Sequence, residues 1–282
     1  MAPLFRCKTQ DAYVIKILCE LLQNNLRKAC FELSKDGIRL CMADTGHQIL
    51  IQLELLSENF QIYKFKEDKI YIGINLIHLH RMLKTIKKKD SLTLYIDEES
   101  PTDLCIQVFP KENNSRVTTS TVKIQNMQYI DAESPSGYNK PVIVPSSEYQ
   151  KMTKELNSIG NIITINSKGF AIKFLSDPTN TYSKNVTFGE VDPDEGDESD
   201  EECNEEFEQT FKIDILNRIS KISGLSNTMQ IFPKTGLPLL FKSSIGSLGK
   251  ICIFIKSIEQ IEKENLNGES DEESDDEESD NE

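Results

Sequence analysis

The chain has 282 residues, 32 Lys or Arg against 46 Asp or Glu, and a net charge of −14, a length that suits one large or two ordinary domains. Its longest pure apolar runs, such as 251–255, are too short to span a bilayer, and residues 1–10 hold no apolar signal core. Seven widely spaced cysteines without a CxxC pair argue against a disulfide framework or a zinc knuckle, so a soluble intracellular protein is expected.

The charge is segregated. Residues 189–206 hold eleven acids and residues 268–282 hold ten, with no Lys or Arg in either stretch. Without those 21, 25 acids face 32 bases, and the rest of the chain carries about +7. The acidic runs bury too little to order themselves. The body that remains is the part able to meet a polyanion.

In chain order, the first apolar pattern has a helical period. Residues 11–23 place Val14, Ile15, Leu18, Leu21 and Leu22 on one face. Strands are predicted at 29–33 and 38–42, joined by a turn in which Gly37 supplies a positive φ, and then at 47–55, 59–65 and 69–72. A helix over 76–85 follows, with Asn75 as its N-cap, and then strands at 91–96 and 104–109. Residues 125–140, rich in Asn, Gln, Ser, Gly and Pro, read as a surface connector anchored by Met127, Tyr129 and Ile130.

The order then repeats. A helix is predicted over 146–156, capped by Ser146, then strands at 162–166 and 171–175. After the acidic loop come a helix over 213–222 and strands at 228–232, 237–243 and 250–255. An internal duplication of about 125 residues is the economical reading, with domains at 1–124 and 141–261 and a disordered acidic tail at 262–282.

Opposite each apolar stripe lies a polar one. The first helix presents Lys16, Glu20 and Gln23. The second presents His80, Arg81 and Lys84 and runs on into Lys87, Lys88 and Lys89. The third presents Lys151, Lys154 and Ser158, and the fourth Asn217, Arg218 and Lys221. One such stripe is ordinarily a wet helix surface. Four in duplicated positions, all leaning basic, would sum into one field. No base-reading helix, zinc finger or aromatic stacking strand accompanies them, so the expected contact is with phosphates and blind to sequence. No glycine-rich phosphate loop occurs, and His47, His78 and His80 do not form a catalytic or metal-binding set. No enzyme and no cofactor are expected.

From about Tyr13 to Ile258 the chain resembles the proliferating-cell nuclear antigen type of DNA sliding clamp. The resemblance is carried by KACFELSKDGIRLCMADTGHQILIQL (28–53), IGINLIHLHRML (72–83), VPSSEYQKMTKELNSIG (144–160) and LPLLF (237–241). It implies an α+β fold of two like domains, three subunits closing into a ring whose helices line a hole for duplex DNA. By that resemblance Lys16, Arg81, Lys84, Lys151, Lys154 and Lys221 face the hole, joined by Arg218 from its stripe. It also implies a pocket for partner peptides (the PIP-box) at Ala43, His47, Leu50, Tyr138, Pro238 and Phe254, lidded by Tyr129 and Ile130. Ala43 is smaller than the family's usual Met, and Lys256-Ser257 replaces its Ala-Pro.

Ring closure would use the edges 116–123 and 181–188, through Arg116, Val117, Thr119, Val122, Leu156, Ile159, Tyr182, Val186 and Phe188. The implied partners are non-specific duplex DNA, DNA polymerase, a clamp loader, ligase and flap nuclease, in the nucleus or a viral replication compartment. Two other readings are a subunit of a heterotrimeric checkpoint-type clamp and a β-rich scaffold that binds no DNA.

Overall fold

The structure, a computed structural model, describes residues 3–111, 116–129, 132–178, 182–189 and 206–272, with 267–272 as backbone only. Ile130, most of the acidic loop and residues 273–282 lie outside the described residues.

The first half runs β1 (Phe5–Thr9), α1 (Ala12–Asn25), β2 (Lys28–Ser34), β3 (Gly37–Ala43), β4 (Ile49–Leu56), β5 (Ile62–Phe65), β6 (Lys69–Asn75), α2 (Leu76–Leu83), β7 (Ser91–Ile96), β8 (Asp103–Phe109) and β9 (Thr118–Lys123). The second runs β10 (Val142–Pro145), α3 (Ser146–Asn157), β11 (Ile162–Lys168), β12 (Ala171–Ser176), β13 (Lys184–Phe188), β14 (Phe207–Lys212), α4 (Ile213–Arg218), β15 (Thr228–Phe232), β16 (Leu239–Ile245) and β17 (Gly249–Ile255), and α5 (Ile258–Glu272) closes the described chain. With β5 set aside, the two halves share one element order.

Alternation sets which side of each strand is buried. In β4, Ile49, Ile51, Leu53 and Leu55 point inward while the residues between them are half-exposed. The helices contribute Ile15, Leu18 and Leu22 from α1 and Tyr149, Met152 and Leu156 from α3. Tyr149 is fully buried and donates its hydroxyl to Leu216 O at 3.1 Å, which satisfies the one polar atom it brings inside. Burial pushes the Cys7 and Cys19 thiols up to about 12, so both stay protonated and inert at neutral pH.

The sheets repeat as well. The strands run β5-β1-β7-β8-β9 in one sheet and β13-β12-β11-β14 in another. The third has eight strands, β10-β15-β16-β17-β4-β3-β2-β6. Its first four strands belong to the second half and its last four to the first. The seam is the antiparallel pair β17·β4, which runs from Gly249↔Leu55 to Ile255↔Ile49.

Several expectations change. Ser146 does not cap α3: Pro145 occupies that position, and the buried Ser146 hydroxyl has no partner. The fourth helix stops at Arg218, and a 3-10 turn over Ser220–Gly224 carries Lys221. The tail expected to be disordered from 262 is helical to Glu272. Its start is a capping box: Ser257 N donates to Gln260 Oε1 (2.9 Å) and Gln260 N to Ser257 Oγ (3.2 Å). Asn75 does cap α2, accepting from Ile77 N and His78 N. Gly37 does adopt a positive φ, and a Cβ there would fall 2.0 Å from Leu55 O.

Candidate functional site

Helices α1 to α4 form one layer, while α5 packs on β14. α1 packs on α2, α4 and the 3-10 turn, and α3 packs on α4 and the same turn. Their polar stripes therefore meet. Lys16 Nζ donates to Ile86 O at 3.0 Å beyond the end of α2, and Lys221 Nζ lies 2.7 Å from Glu20 of α1. Arg81, Lys84, Lys151 and Lys154 are exposed, with Lys151 held 2.8 Å from Glu148 one turn earlier. Arg218 is half-buried, its Nε lacks a partner and its carbonyl accepts from Asn24 Nδ2 at 3.4 Å.

His80 reports the summed field. Burial pushes its imidazole below the ordinary histidine value; Glu20 opposes this, while Lys16, Lys84 and Lys221 reinforce it. Three lysines from three elements thus act on one ring. Glu20 lies on the same stripe, and its pair with Lys221 partly neutralises the basic face where α1 meets the 3-10 turn.

On the outer side of the eight-stranded sheet, cross-strand register aligns Ala43, Leu50, Phe254, Leu240 and Phe232 in one apolar row. The Tyr138 ring stands 6.2 Å from both Phe254 and Phe232, and its hydroxyl donates to Pro238 O at 2.7 Å. His47 is exposed at the tip of the β3–β4 loop with φ 50. Asp44 Oδ1 fixes that loop by accepting from Gln48 N (2.8 Å) and Ile49 N (3.0 Å). Six of the eight pocket residues expected from sequence gather here, and Leu240 and Phe232 join them. Neither addition had a local signal, because only strand register brings them into the row.

Tyr129 is elsewhere. It stacks on Tyr71 of β6 with centroids 4.6 Å apart. That is two strands beyond Ala43, about 10 Å across the sheet, and level with Arg39 rather than Ala43 along it. The connector is anchored strand by strand. Gln125 pairs with Gly73, Cys30 Sγ donates to Met127 O, Cys41 Sγ donates to Ala132 O, and Gln52 and Ser134 bond to each other. It crosses from β6 toward β16, and near its far end Tyr138 reaches the apolar row.

Two outermost strands, β9 and β13, have a sheet partner on one side only. Arg116, Val117 and Thr119 on one edge and Tyr182 on the other are exposed, with Val117 at 46% and Tyr182 at 55%. Ile159, Val186 and Phe188 are half-buried against the core. Val122 and Leu156, expected at the same edges, are buried in the subunit's own core at 4% and 0%. Their side chains are already spent on folding.

A duplicated α+β chain with its helices in one basic layer and its sheets behind them defines the class of DNA clamp folds. The chain belongs to the proliferating cell nuclear antigen family: residues 4–134 match "Proliferating cell nuclear antigen, N-terminal domain" and residues 133–258 match the corresponding C-terminal domain. It is similar to "Probable DNA polymerase sliding clamp 1" of Paramecium bursaria Chlorella virus 1, with 26% identity over 90% of this chain and 97% of that one. It is also similar to "Proliferating cell nuclear antigen" of Dictyostelium discoideum, with 28% identity over 89% of this chain and 98% of that one.

Proposed function

We propose that this chain is a DNA polymerase processivity factor that closes, three copies together, into a ring around duplex DNA. One observation carries the ring. Within the chain, β17 of the second half pairs with β4 of the first. By duplication β9 is the counterpart of β17, and β13 the counterpart of β4. Both lie at the end of a sheet, each with one edge that no strand among the described residues pairs with. A β9·β13 contact between neighbouring copies would repeat the internal seam head to tail, and such a contact closes into a ring when its rotation allows.

Lys16, Arg81, Lys84, Lys151, Lys154, Arg218 and Lys221 then face the hole. A ring holds DNA by topology, so weak phosphate contacts suffice and permit sliding. The row around Leu50 and Phe254 takes the apolar helical turn of PIP-box partners, among them the polymerase, the clamp loader, ligase and flap nuclease. The site of action is the nucleus, or a viral replication compartment.

Light scattering should give about three times the subunit mass. Primer extension on circular DNA with the cognate polymerase and loader should lengthen. A lone monomer would favour the heterotrimeric alternative, and a failure to stimulate extension would sink the clamp reading.

A further inference from the structure

The turn after α2 carries Lys87, Lys88 and Lys89 in succession, all exposed. Three adjacent ammonium groups repel one another, so the turn needs a structural reason to persist. Asp90 provides it: its Oδ2 accepts from Lys87 N at 2.8 Å, and its own N–H donates to Lys87 O at 3.2 Å. That closed turn hangs from the buried Ile86, and Asp90 is itself only 7% exposed. The single acid of the turn therefore serves the backbone and leaves the three ammonium groups pointing outward.

Their position ties them to the helical layer. Lys88 Nζ and Lys16 Nζ lie 5.9 and 5.4 Å from the centroid of the same ring, Tyr13 of α1. The nearby carboxylates are engaged: Asp11 accepts from Ser247 Oγ, and Glu20 pairs with Lys221. Among the described residues none of the three lysines has a carboxylate within ion-pair distance, whereas Lys35, Lys66, Lys69, Lys123 and Lys250 on other surfaces each do.

We propose that Lys87, Lys88 and Lys89 form a further phosphate-contact site, which grips the backbone of duplex DNA at the rim of the hole where α1 begins and α2 ends. The site rests on the clamp reading and extends its basic face beyond the helices. Each phosphate contact contributes about 0.9 to the slope of log affinity against log salt. The rim contact steadies duplex as it enters or leaves the ring.

The test compares the full chain with the triple variant Lys87→Ala, Lys88→Ala, Lys89→Ala and with the triple Lys→Arg variant, on a blunt linear duplex across a salt series. Light scattering checks that assembly is unchanged. The alanine variant should lose about 2 to 3 from the slope, and the arginine variant should keep it. An alanine variant with the parent slope overturns the site, and so does an arginine variant that fails as the alanine one does. A parent protein without salt-dependent duplex binding would overturn the clamp reading instead.

Discussion

Glu259 stands where a neighbouring strand would otherwise bind: its carboxylate accepts from both the backbone N–H and the hydroxyl of Thr210, on the outer edge of β14. The counterpart of β14 in the first half is β6, whose outer edge is covered by Gln125 pairing with Gly73. Both segments that leave a domain thus fold back over an exposed strand edge. One does so with backbone, the other with a side chain from α5.

Glu259→Ala should loosen α5 with little effect on the body, at a local cost of about 1 to 3 kcal/mol, as for a hydrogen-bonded charged group. Partial burial pushes the Glu259 carboxyl up, but its hydrogen bonds from Thr210 and Ser257 outweigh this and hold it below the ordinary carboxylate value. A lowered folded-state value contributes stability above the unfolded value and loses it as pH falls through the folded one. α5 should therefore detach only on acidification, as the pH falls below the ordinary glutamate range. Hydrogen exchange at the Thr210 amide reads both effects, and exchange unchanged by mutation would remove the tether.

Leu50→Ala should weaken a PIP-box peptide by about tenfold or more, the usual effect of truncating a central apolar anchor. His47→Ala should weaken it less, because His47 sits at the exposed tip of its loop. Calorimetry gives the affinities, with light scattering to confirm that the assembly persists. Full affinity in Leu50→Ala would relocate the pocket.

Tyr138→Phe separates two roles of the connector. The ring stays against Phe254 and Phe232, while the bond to Pro238 O is lost, at about 1 kcal/mol. Peptide affinity should fall only slightly, whereas Tyr138→Ala should cost it strongly. Tyr129→Ala should leave affinity unchanged, since Tyr129 stacks on Tyr71 away from the row. A large loss from Tyr129→Ala would contradict that placement.

Val117→Asp places a charge at the exposed approach to β9 and should shift the assembly toward monomer. The fold itself should be untouched, because Val117 lies outside the core. Sedimentation at several concentrations measures the shift, and an intact trimer at all of them would remove β9 from the closure.

Lys151→Ala with Lys154→Ala should lower the salt slope of duplex binding by up to about 2. Lys35→Ala, whose partner is Asp68 on another surface, serves as the control and should leave it unchanged. Equal slopes in all three proteins would remove α3 from the DNA-facing layer.

Long elements with a clear period could be read directly. α1, β4 and β8 announce themselves because each buries one face, and burial imposes a period of 3.6 or 2 on the residues. β1, β10 and β14 escaped. FRCKT and FEQTFK mix charges into short strands, and VIVP abuts the connector. The Ser257–Gln260 capping box of α5 was legible, but the acidity downstream concealed it.

Local order and the segregation of charge were properties of the chain alone, since periodicity, caps and acidic runs act over neighbouring residues. The resemblance to the clamp family was carried by the stretches 28–53, 72–83, 144–160 and 237–241, and the family matches over residues 4–134 and 133–258 show the membership. Which strands meet was settled only in three dimensions: the β17·β4 seam, the row from Ala43 to Phe232, the separation of Tyr129 from Tyr138, and the burial of Val122 and Leu156. Those outcomes depend on register between segments as far apart in the chain as Ile49 and Ile255, and on which surfaces the fold has already consumed. Nothing in a local stretch of sequence carries that information, because a strand or a stripe looks the same whether its outer face meets water, a connector or another subunit.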